Sequence, residues 1–218
     1  DTAGIIANSE WSASLTREIM GEIGIASPPP VAAIDLGTDP VRFSPSGETG
    51  KLRAKLELGS APIMLSVARL VPHKGQDIAI ETLAALQAEF PTLHYVIVGT
   101  GDDEPRLRAL AETLRIANRV HFAGQLNDED LADAYATSTV YVGLSRLDNE
   151  INVEGFGISF VEAGASGIPV VGGDSGGVRA AVRDGETGFV VDPTDIGAAT
   201  AAIGSILRDP SLHSQLGS

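Results

Sequence analysis

The stretch that decides the fold is IMLSVARLVPHKGQDIAIETLAALQAEFPTLHYVIV, residues 63–98. It opens with an apolar run at 63–68, continues through a segment with helical spacing at 77–90, and ends in a second apolar run at 95–98. Short apolar runs without polar alternation are typical of strands that are buried on both faces. The stretch therefore predicts a strand, a helix and a second strand of a parallel sheet.

The same alternation continues towards the C-terminus. Further strands are predicted at residues 120–123, 140–144, 169–171 and 189–191, and helices at 104–117, 128–136, 157–166 and 178–184. This repetition predicts an α/β fold with a doubly wound, Rossmann-like parallel sheet. Ligands of such sheets bind outside the carboxyl ends of the strands, where this chain places glycines and charged residues.

The first 45 residues follow a different pattern. They contain a strand-like start at 4–7, a helix-like stretch at 11–21, three consecutive prolines at 28–30, and then a polar connection at 43–49. The sequence begins without Met and without an apolar leader, so we expect a fragment of a longer protein.

Charge limits the partners of the chain. Its 218 residues include 15 Lys and Arg against 29 Asp and Glu, a formal net charge of −14. This charge disfavours binding to nucleic acid or to an anionic membrane, although it also serves solubility. An anionic ligand would need a local basic patch.

Cysteine and histidine give little sign of a metal. The absence of Cys excludes disulfides and thiolate metal sites and fits a cytoplasmic protein. The histidines lack metal-ligand spacing, so we expect no metal. His73 is expected at the surface, and Trp11 in the core. No apolar run approaches the roughly 18 residues of a transmembrane segment.

Two cations follow the first buried strand. Arg69 and Lys74 stand five positions apart, directly after the run at 63–68. Arg offers a planar fork of donors and Lys a mobile point charge, and together they suit a diphosphate. An exposed pair on an ordinary loop stays open as the alternative.

Residues 154–162, EGFGISFVE, carry the most specific pattern. Gly155 and Gly157 allow the backbone to approach a ligand at a helix start, where free N–H groups bind phosphates or hydroxyls. Glu154 precedes this helix and Glu162 lies inside it, so both carboxylates can face one cleft and accept hydrogen bonds from vicinal hydroxyls. A capping Glu and a solvated Glu are the alternative.

Other glycine patterns are less specific. Gly99 and Gly101 follow a predicted strand, but Glu104 stands where a dinucleotide-binding pattern needs its third glycine. They predict a tight turn near the ligand edge. Residues 174–177 and 184–188 predict loops with special backbone angles and a structural role.

Four blocks of sequence, in order, carry a resemblance to a known family. They are SVARLVPHKGQD at 66–77, VGTGDDEPRLRAL at 98–110, VEGFGISFVEAGASGIPVV at 153–171 and GDSGGVRAAVRDGETGFVVDP at 173–193. The chain resembles the C-terminal domain of glycosyltransferase family 4, retaining enzymes of the B-type fold with two Rossmann-like domains. Residues 145–153 are similar to an insertion in bacterial α-mannosyltransferases of the phosphatidylinositol mannoside type.

The resemblance implies roles for individual residues. Arg69 and Lys74 would hold the donor diphosphate and stabilise its charge as the glycosidic bond breaks. Glu154 would bind hydroxyls of the transferred sugar, and these three residues are the implied catalytic set. The implied donor-binding residues are Gly99, Gly101, Gln125, Leu126, Asp128, Gly155, Phe156, Gly157, Ile158 and Glu162.

Within that set the resemblance separates the parts of the donor. Glu162 would bind the ribose hydroxyls, and backbone N–H groups of 155–158 would help Glu154. The base would lie against Gln125 and Leu126, with Asp128 at its edge. No protein nucleophile is implied.

The resemblance also implies a reaction and its partners. A mannose- or glucose-type hexose would move from a GDP- or UDP-linked donor, without a cofactor or metal, to a sugar, lipid or small-molecule acceptor. That acceptor would bind a missing N-terminal domain, of which residues 1–45 would be a remnant with the linker, leaving 46–218 as the donor domain. The fragment alone would be inactive in transfer. We expect a cytoplasmic location, and a peripheral position of the full-length protein at the inner membrane face stays open.

Two positions depart from the family pattern, and other functions stay open. Arg179-Ala180 replaces a Pro-Glu pair, which leaves the start of the following helix open, and residues 36–39 read LGTD in place of Asn-Gly-Val-Asp. The alternatives are a non-catalytic nucleotide-sugar-binding module, an NAD-dependent oxidoreductase and a glycosidase. The oxidoreductase lacks its third glycine, and the glycosidase has no role for Arg69 and Lys74.

Overall fold

The N-terminal part forms a small sheet of its own. The computed structural model describes residues 3–47, 49–148 and 152–218. Strand β1 (Ile5–Ala7) pairs in parallel with β2 (Val31–Ala33), and helix α1 (Glu10–Glu22) connects them. The division of the chain into domains at residues 45 and 46 stays a prediction.

The main sheet confirms the predicted α/β class. Its strands are β3 (Ile63–Val67), β4 (His94–Val98), β5 (Val120–Gly124), β6 (Val140–Gly143), β7 (Val170–Gly173) and β8 (Gly188–Val191). All six are parallel, in the order β5-β4-β3-β6-β7-β8. The order reverses at β3, because the chain first adds β4 and β5 on one side and then β6, β7 and β8 on the other.

Helices cover both faces of this sheet. They are α2 (Lys51–Lys55), α3 (Gln76–Leu86), α4 (Glu104–Thr113), α5 (Asp128–Ala136), α6 (Ile158–Ala165), α7 (Val178–Ala181), α8 (Ile196–Arg208) and α9 (Pro210–Leu216). Successive strand residues point to opposite faces. Met64 accordingly packs with residues of α3, α4, α8 and α9, whereas Ile63 and Leu65 pack with residues of α2, α5, α6 and α7. Because a hydrophobic core lies against each face of the sheet, apolar residues occur on both faces of its strands.

Three helices end several residues earlier than their apolar pattern predicts: α3 ends at Leu86, and local backbone chemistry explains the ends of α4 and α7. Helix α4 stops at Thr113 because Arg115 adopts a left-handed conformation, φ 59°, and Ile116 N–H donates to the carbonyl of Ala111. This arrangement is a Schellman cap, and it buries Ile116. Helix α7 begins at Val178, directly after Gly177, and ends at Ala181, before the turn at 183–187.

The expectation for Trp11 is wrong. Its side chain is 36% exposed, and exposed apolar residues recur every four positions along α1 and its C-cap, at Trp11, Leu15, Ile19 and Ile23. The buried residues of α1 are Ala13 and Met20, so the helix turns its smaller apolar face inward. Across the described ranges, no helix is both long and apolar enough to cross a membrane.

Candidate functional site

A cavity of about 380 Å³ opens where the strand order reverses. It is lined by residues that follow β3, Ala68 and Arg69, and by residues that end or follow β6, Gly143 and Ser145. Open α/β sheets bind their ligands at this kind of switch point, outside the carboxyl ends of the strands. The sheet topology therefore marks the cavity as the candidate site.

Six of the predicted site residues line this one cavity. They are Arg69, Lys74, Glu154, Gly157, Ile158 and Glu162. Both cations and both acids thus line the same cavity, although Lys74 and Glu154 are 80 positions apart in sequence. The roles assigned to these residues stay predictions.

Lys74 and Glu154 form an ion pair across the cavity. Lys74 Nζ donates to Glu154 Oε2 at 2.7 Å, and the two side chains are only 16% and 18% exposed. Ser145 Oγ donates to the same oxygen at 3.4 Å. The cation and the acid therefore neutralise each other in a site that is largely shielded from water.

Close backbone packing brings Lys74 to this position. Lys74 ends a short 3-10 turn, Pro72–Lys74, and Gly75 follows in a left-handed conformation with φ 72°. A Cβ on Gly75 would lie 1.9 Å from the carbonyl oxygen of Leu144, the residue after β6. Only glycine allows the loop after β3 to touch the loop after β6 so closely.

Arg69 differs from Lys74 in its surroundings. Its side chain is exposed, and within the described part of the chain its guanidinium has no hydrogen-bond or ion-pair partner. Its backbone is fixed, because Gln76 Nε2 donates to the Arg69 carbonyl at 3.0 Å. An anchored backbone with an unpaired guanidinium presents a bidentate donor at the rim of the cavity.

The second acid of the cavity, Glu162, lies on helix α6. Helix α6 begins at Ile158 after Gly157, whose φ of 90° is left-handed, and Glu162 lies one turn further inside. Tyr135 OH donates to Glu162 Oε2 at 2.7 Å. Burial raises the pKa of Glu162, while the hydrogen bond from Tyr135 and the charge of Arg42 act in the opposite direction.

Two other segments hold the loop that carries Glu154. Gly177 N–H donates to the Glu154 carbonyl at 2.7 Å. From the N-terminal part, Ser9 Oγ and Ser12 Oγ donate to the Gly155 carbonyl at 2.6 and 3.2 Å. The start of α1 therefore supports the loop at 154–157 that carries Glu154, through a contact that no pattern in the sequence indicates.

The loop after β6 is also tied to the loop after β3. Arg146 donates from both Nη atoms to the Asp77 carboxylate at 2.8 and 2.9 Å, and its N–H donates to the His73 carbonyl at 2.8 Å. Burial alone would raise the pKa of Asp77, but the hydrogen bond and charge of Arg146 outweigh it and lower that pKa. These contacts fix the relative position of the two loops.

They also correct the expectation for His73, which is buried and not at the surface. Burial lowers the pKa of His73, and the charges of Lys74 and Arg69 lower it further. His73 lies in the 3-10 turn Pro72–Lys74, and its carbonyl accepts from the backbone N–H of Arg146, a contact between loops that are remote in sequence.

The other predicted donor-binding residues lie outside the cavity lining. A Cβ on Gly99 or Gly101 would lie 2.0 Å from the Ala68 carbonyl oxygen or 2.1 Å from that of Leu70, so both glycines permit close packing beside Arg69. Gly155 lies next to the cavity, and the side chain of Phe156 is buried. Any ligand contact of these two residues would involve the backbone.

The remaining three predicted residues lie just before α5 or at its first position, outside the cavity lining. Gln125 is exposed, and Leu126 lines a small depression with Lys51 and Leu52. Asp128 pairs with Arg42 at 2.9 Å, with both side chains well exposed. A nucleotide base whose edge bound the Asp128 carboxylate would therefore compete with Arg42 for that carboxylate.

Sequence reasoning missed several residues of the site. Tyr135 and Tyr141 carry no signal that separates them from core tyrosines, because their hydroxyls reach partners on α6 only in the folded chain. Ser145 had a usable signal, since it directly follows a predicted strand end. Within the described ranges, no three His, Asp or Glu side chains gather as a metal site.

Comparison with known proteins agrees with this architecture. Residues 48–218 match the family model described as glycosyl transferases group 1. A GDP-mannose-dependent alpha-(1-6)-phosphatidylinositol monomannoside mannosyltransferase of Mycolicibacterium smegmatis is 38% identical over 183 residues, 83% of this chain and 48% of that protein. A D-inositol 3-phosphate glycosyltransferase of Acidothermus cellulolyticus is 36% identical over 221 residues, 97% of this chain and 47% of that protein.

A solved structure shows the same fold. The crystal structure of Anabaena Alr3699/HepE in complex with UDP and glucose matches with a TM-score of 0.85 and 27% identity, covering 100% of this chain and 56% of the other. The chain spans about half the length of the relatives it matches, 48% and 47%. The predicted resemblance is confirmed: the chain belongs to the glycosyl transferases group 1 family.

Proposed function

We propose that this chain is the donor-binding half of a retaining glycosyltransferase that transfers a hexose from a nucleoside diphosphate sugar. The observation that supports it is the single cavity at the sheet switch point that collects Arg69, Lys74, Glu154 and Glu162. A GDP- or UDP-linked donor is supported by the similarity to the GDP-mannose-dependent mannosyltransferase and to the HepE structure that contains UDP.

The charges suggest how the diphosphate is held. The unpaired Arg69 guanidinium would bind phosphate oxygens with two parallel hydrogen bonds. Lys74 uses one of its three N–H donors on Glu154, so it can also bind the diphosphate without leaving its partner. Both cations would stabilise the negative charge that develops on the leaving nucleotide as the glycosidic bond breaks.

The acids and the helix start would orient the rest of the donor. Glu154 would accept hydrogen bonds from hydroxyls of the transferred sugar, and the N–H groups at the start of α6 would bind beside it. Glu162 would accept from the ribose hydroxyls. We assign no protein nucleophile, and the acceptor sugar, lipid or small molecule would bind residues outside this chain.

Calorimetry with GDP, UDP and ADP tests the proposal. We expect at least one of them to bind, and Arg69→Ala or Lys74→Ala to weaken that binding about tenfold, consistent with loss of one charge-assisted contact. The matched control is Arg183→Ala, which removes an exposed cation from the loop before β8, at the opposite edge of the sheet. If no nucleotide binds, or if the control weakens binding as much as the site variants do, the proposal is wrong.

A further inference from the structure

Tyr135 lies outside the cavity lining and contacts Glu162, which belongs to that lining. Tyr135 lies on α5, and its side chain is 0% exposed. Its hydroxyl donates to Glu162 Oε2 at 2.7 Å. Glu162 Oε1 has no hydrogen-bond partner among the residues that the structure describes. One carboxylate oxygen is therefore held by the protein, and the other is available to the cavity.

The ring of Tyr135 is held from two sides. Phe43 packs edge-on against it, with ring centroids 5.5 Å apart and planes at 88°, and the ring of Tyr141 lies 5.9 Å away. Helix α5 is itself anchored through Asp133, whose carboxylate accepts from the N–H groups of Thr49, Gly50 and Leu52. The hydroxyl of Tyr135 thus has a fixed position from which to orient its partner.

The protonation states suit this arrangement. Burial raises the pKa of Tyr135 well above its ordinary value, and the nearby carboxylate adds to that, so the hydroxyl keeps its proton and remains a donor. Burial also raises the pKa of Glu162, and the bond from Tyr135 opposes that effect. The bond therefore favours Glu162 as a carboxylate, the form that can only accept.

We propose that Tyr135 is a positioning residue that fixes Glu162 so that its free oxygen accepts from the ribose hydroxyls of the donor. The inference rests on the proposed function, since it requires a nucleotide in the cavity. It differs from a purely structural role in one respect. Loss of the hydroxyl should matter only for nucleotides that carry the ribose hydroxyls.

The experiment compares ribose and dideoxyribose nucleotides. GDP and 2′,3′-dideoxy-GDP, or the uridine pair if UDP binds better, are titrated calorimetrically into the 218-residue chain and its variants. We expect Tyr135→Phe, which keeps the ring, to weaken binding of the ribose nucleotide about fivefold to tenfold. Binding of the dideoxy nucleotide should not change.

Two further variants complete the test. Tyr95→Phe is the matched control, because Tyr95 is equally buried and loses one hydroxyl contact, to Ser66, but no contact to an acid. It should keep the wild-type preference for ribose. Glu162→Gln should lose that preference, and Tyr135→Phe added to it should have no further effect.

The outcomes separate the two hypotheses. If the wild-type chain binds no nucleotide, the proposed function fails and this inference fails with it. If the wild type binds but Tyr135→Phe keeps the ribose preference, or weakens both nucleotides equally, only the inference is overturned. Should Tyr135→Phe not fold, an unchanged ribose preference in Glu162→Gln would still overturn it.

Discussion

Lys74 Nζ lies 2.7 Å from Glu154 Oε2, and this bond joins the loops that follow two neighbouring strands, β3 and β6. The pair is largely buried, whereas Arg69 at the same cavity is exposed and unpaired among the described residues. The two cations are therefore unequal. Glu154 reduces the positive field of Lys74, and Arg69 presents its full charge to an incoming anion.

Removing the charge of Glu154 should strengthen nucleotide binding. In Glu154→Gln the negative charge beside Lys74 disappears, and we expect GDP or UDP to bind about threefold to tenfold more tightly at low salt. Affinity for the nucleotide sugar should rise less, because the amide replaces an acceptor for sugar hydroxyls. Calorimetry at fixed ionic strength measures both.

The matched control for this effect is Glu104→Gln, which removes an acid paired with Arg108 on α4. It lies outside the cavity lining and should leave both affinities unchanged. A loss of GDP binding in Glu154→Gln comparable to that in Lys74→Ala would contradict the electrostatic account.

A side chain at Gly157 should destabilise the start of α6. Its φ of 90° is unfavourable for other residues, and a Cβ there would lie 2.5 Å from the ring of Phe160. We expect Gly157→Ala to lower the free energy of unfolding by about 1–3 kcal/mol, measured by urea denaturation.

Gly164 provides the comparison within the same helix. It has an ordinary helical backbone, and a Cβ would meet nothing within 4 Å. Gly164→Ala should therefore stabilise the chain by up to about 1 kcal/mol. Equal effects of the two substitutions would show that the left-handed backbone of Gly157 is not what limits its replacement.

Ser9 should contribute both to the free energy of unfolding and to the rigidity of the loop at 154–157. Its Oγ accepts from Ser12 N–H as the N-cap of α1 and donates to the Gly155 carbonyl. We expect Ser9→Ala to cost about 1–2 kcal/mol in the free energy of unfolding, with faster amide hydrogen exchange at 154–157. Ser14→Ala, an exposed position on the same helix, should change the free energy by less than about 0.5 kcal/mol.

If Ser9→Ala destabilises the chain without altering exchange at 154–157, its contact with Gly155 does not support that loop. The exchange measurement separates the contact from the cap. A lost N-cap destabilises α1, and only a lost contact to Gly155 releases residues near Glu154.

Stability should fall on mild acidification because two half-buried histidines contact each other. His94 Nδ1 and His121 Nε2 are 2.9 Å apart. Burial lowers the pKa of both, followed by the charge of Arg119 for His94 and that of His94 for His121. A base with a lowered folded-state pKa binds protons less readily when folded, so stability rises with pH across that window.

The loss should begin as the pH falls through 6.5, the ordinary histidine pKa, and continue towards the lower folded-state values. Urea unfolding between about pH 8 and about pH 5 measures it. His121→Gln should reduce the dependence of the free energy of unfolding on pH without abolishing it, because the pKa of His73 is also lowered. An unchanged pH dependence in His121→Gln would exclude the pair as a cause.

The sequence predicted the elements of the sheet well and their ends less well. The four central strands are short, largely apolar runs whose two faces are both buried, a local property that is visible without the fold. Helix α5 has the predicted bounds Asp128–Ala136. Helix α4 stops short of its predicted end because Arg115 adopts a left-handed backbone that the apolar pattern does not encode.

The gathering of Arg69, Lys74, Glu154 and Glu162 could also be predicted, because the carboxyl ends of parallel strands share one edge of a sheet. The family membership followed from the order of four sequence blocks. In both cases the information lies in short stretches of neighbouring residues that follow one another in a fixed order along the chain.

Only the tertiary structure placed β6 beside β3 and so fixed the position of the cavity. It alone brought Tyr135 to Glu162, Ser9 to Gly155 and His94 to His121. These partners are 27, 146 and 27 positions apart. A contact between residues so distant in sequence depends on how whole elements pack, and no local pattern of hydrophobicity or charge records that packing.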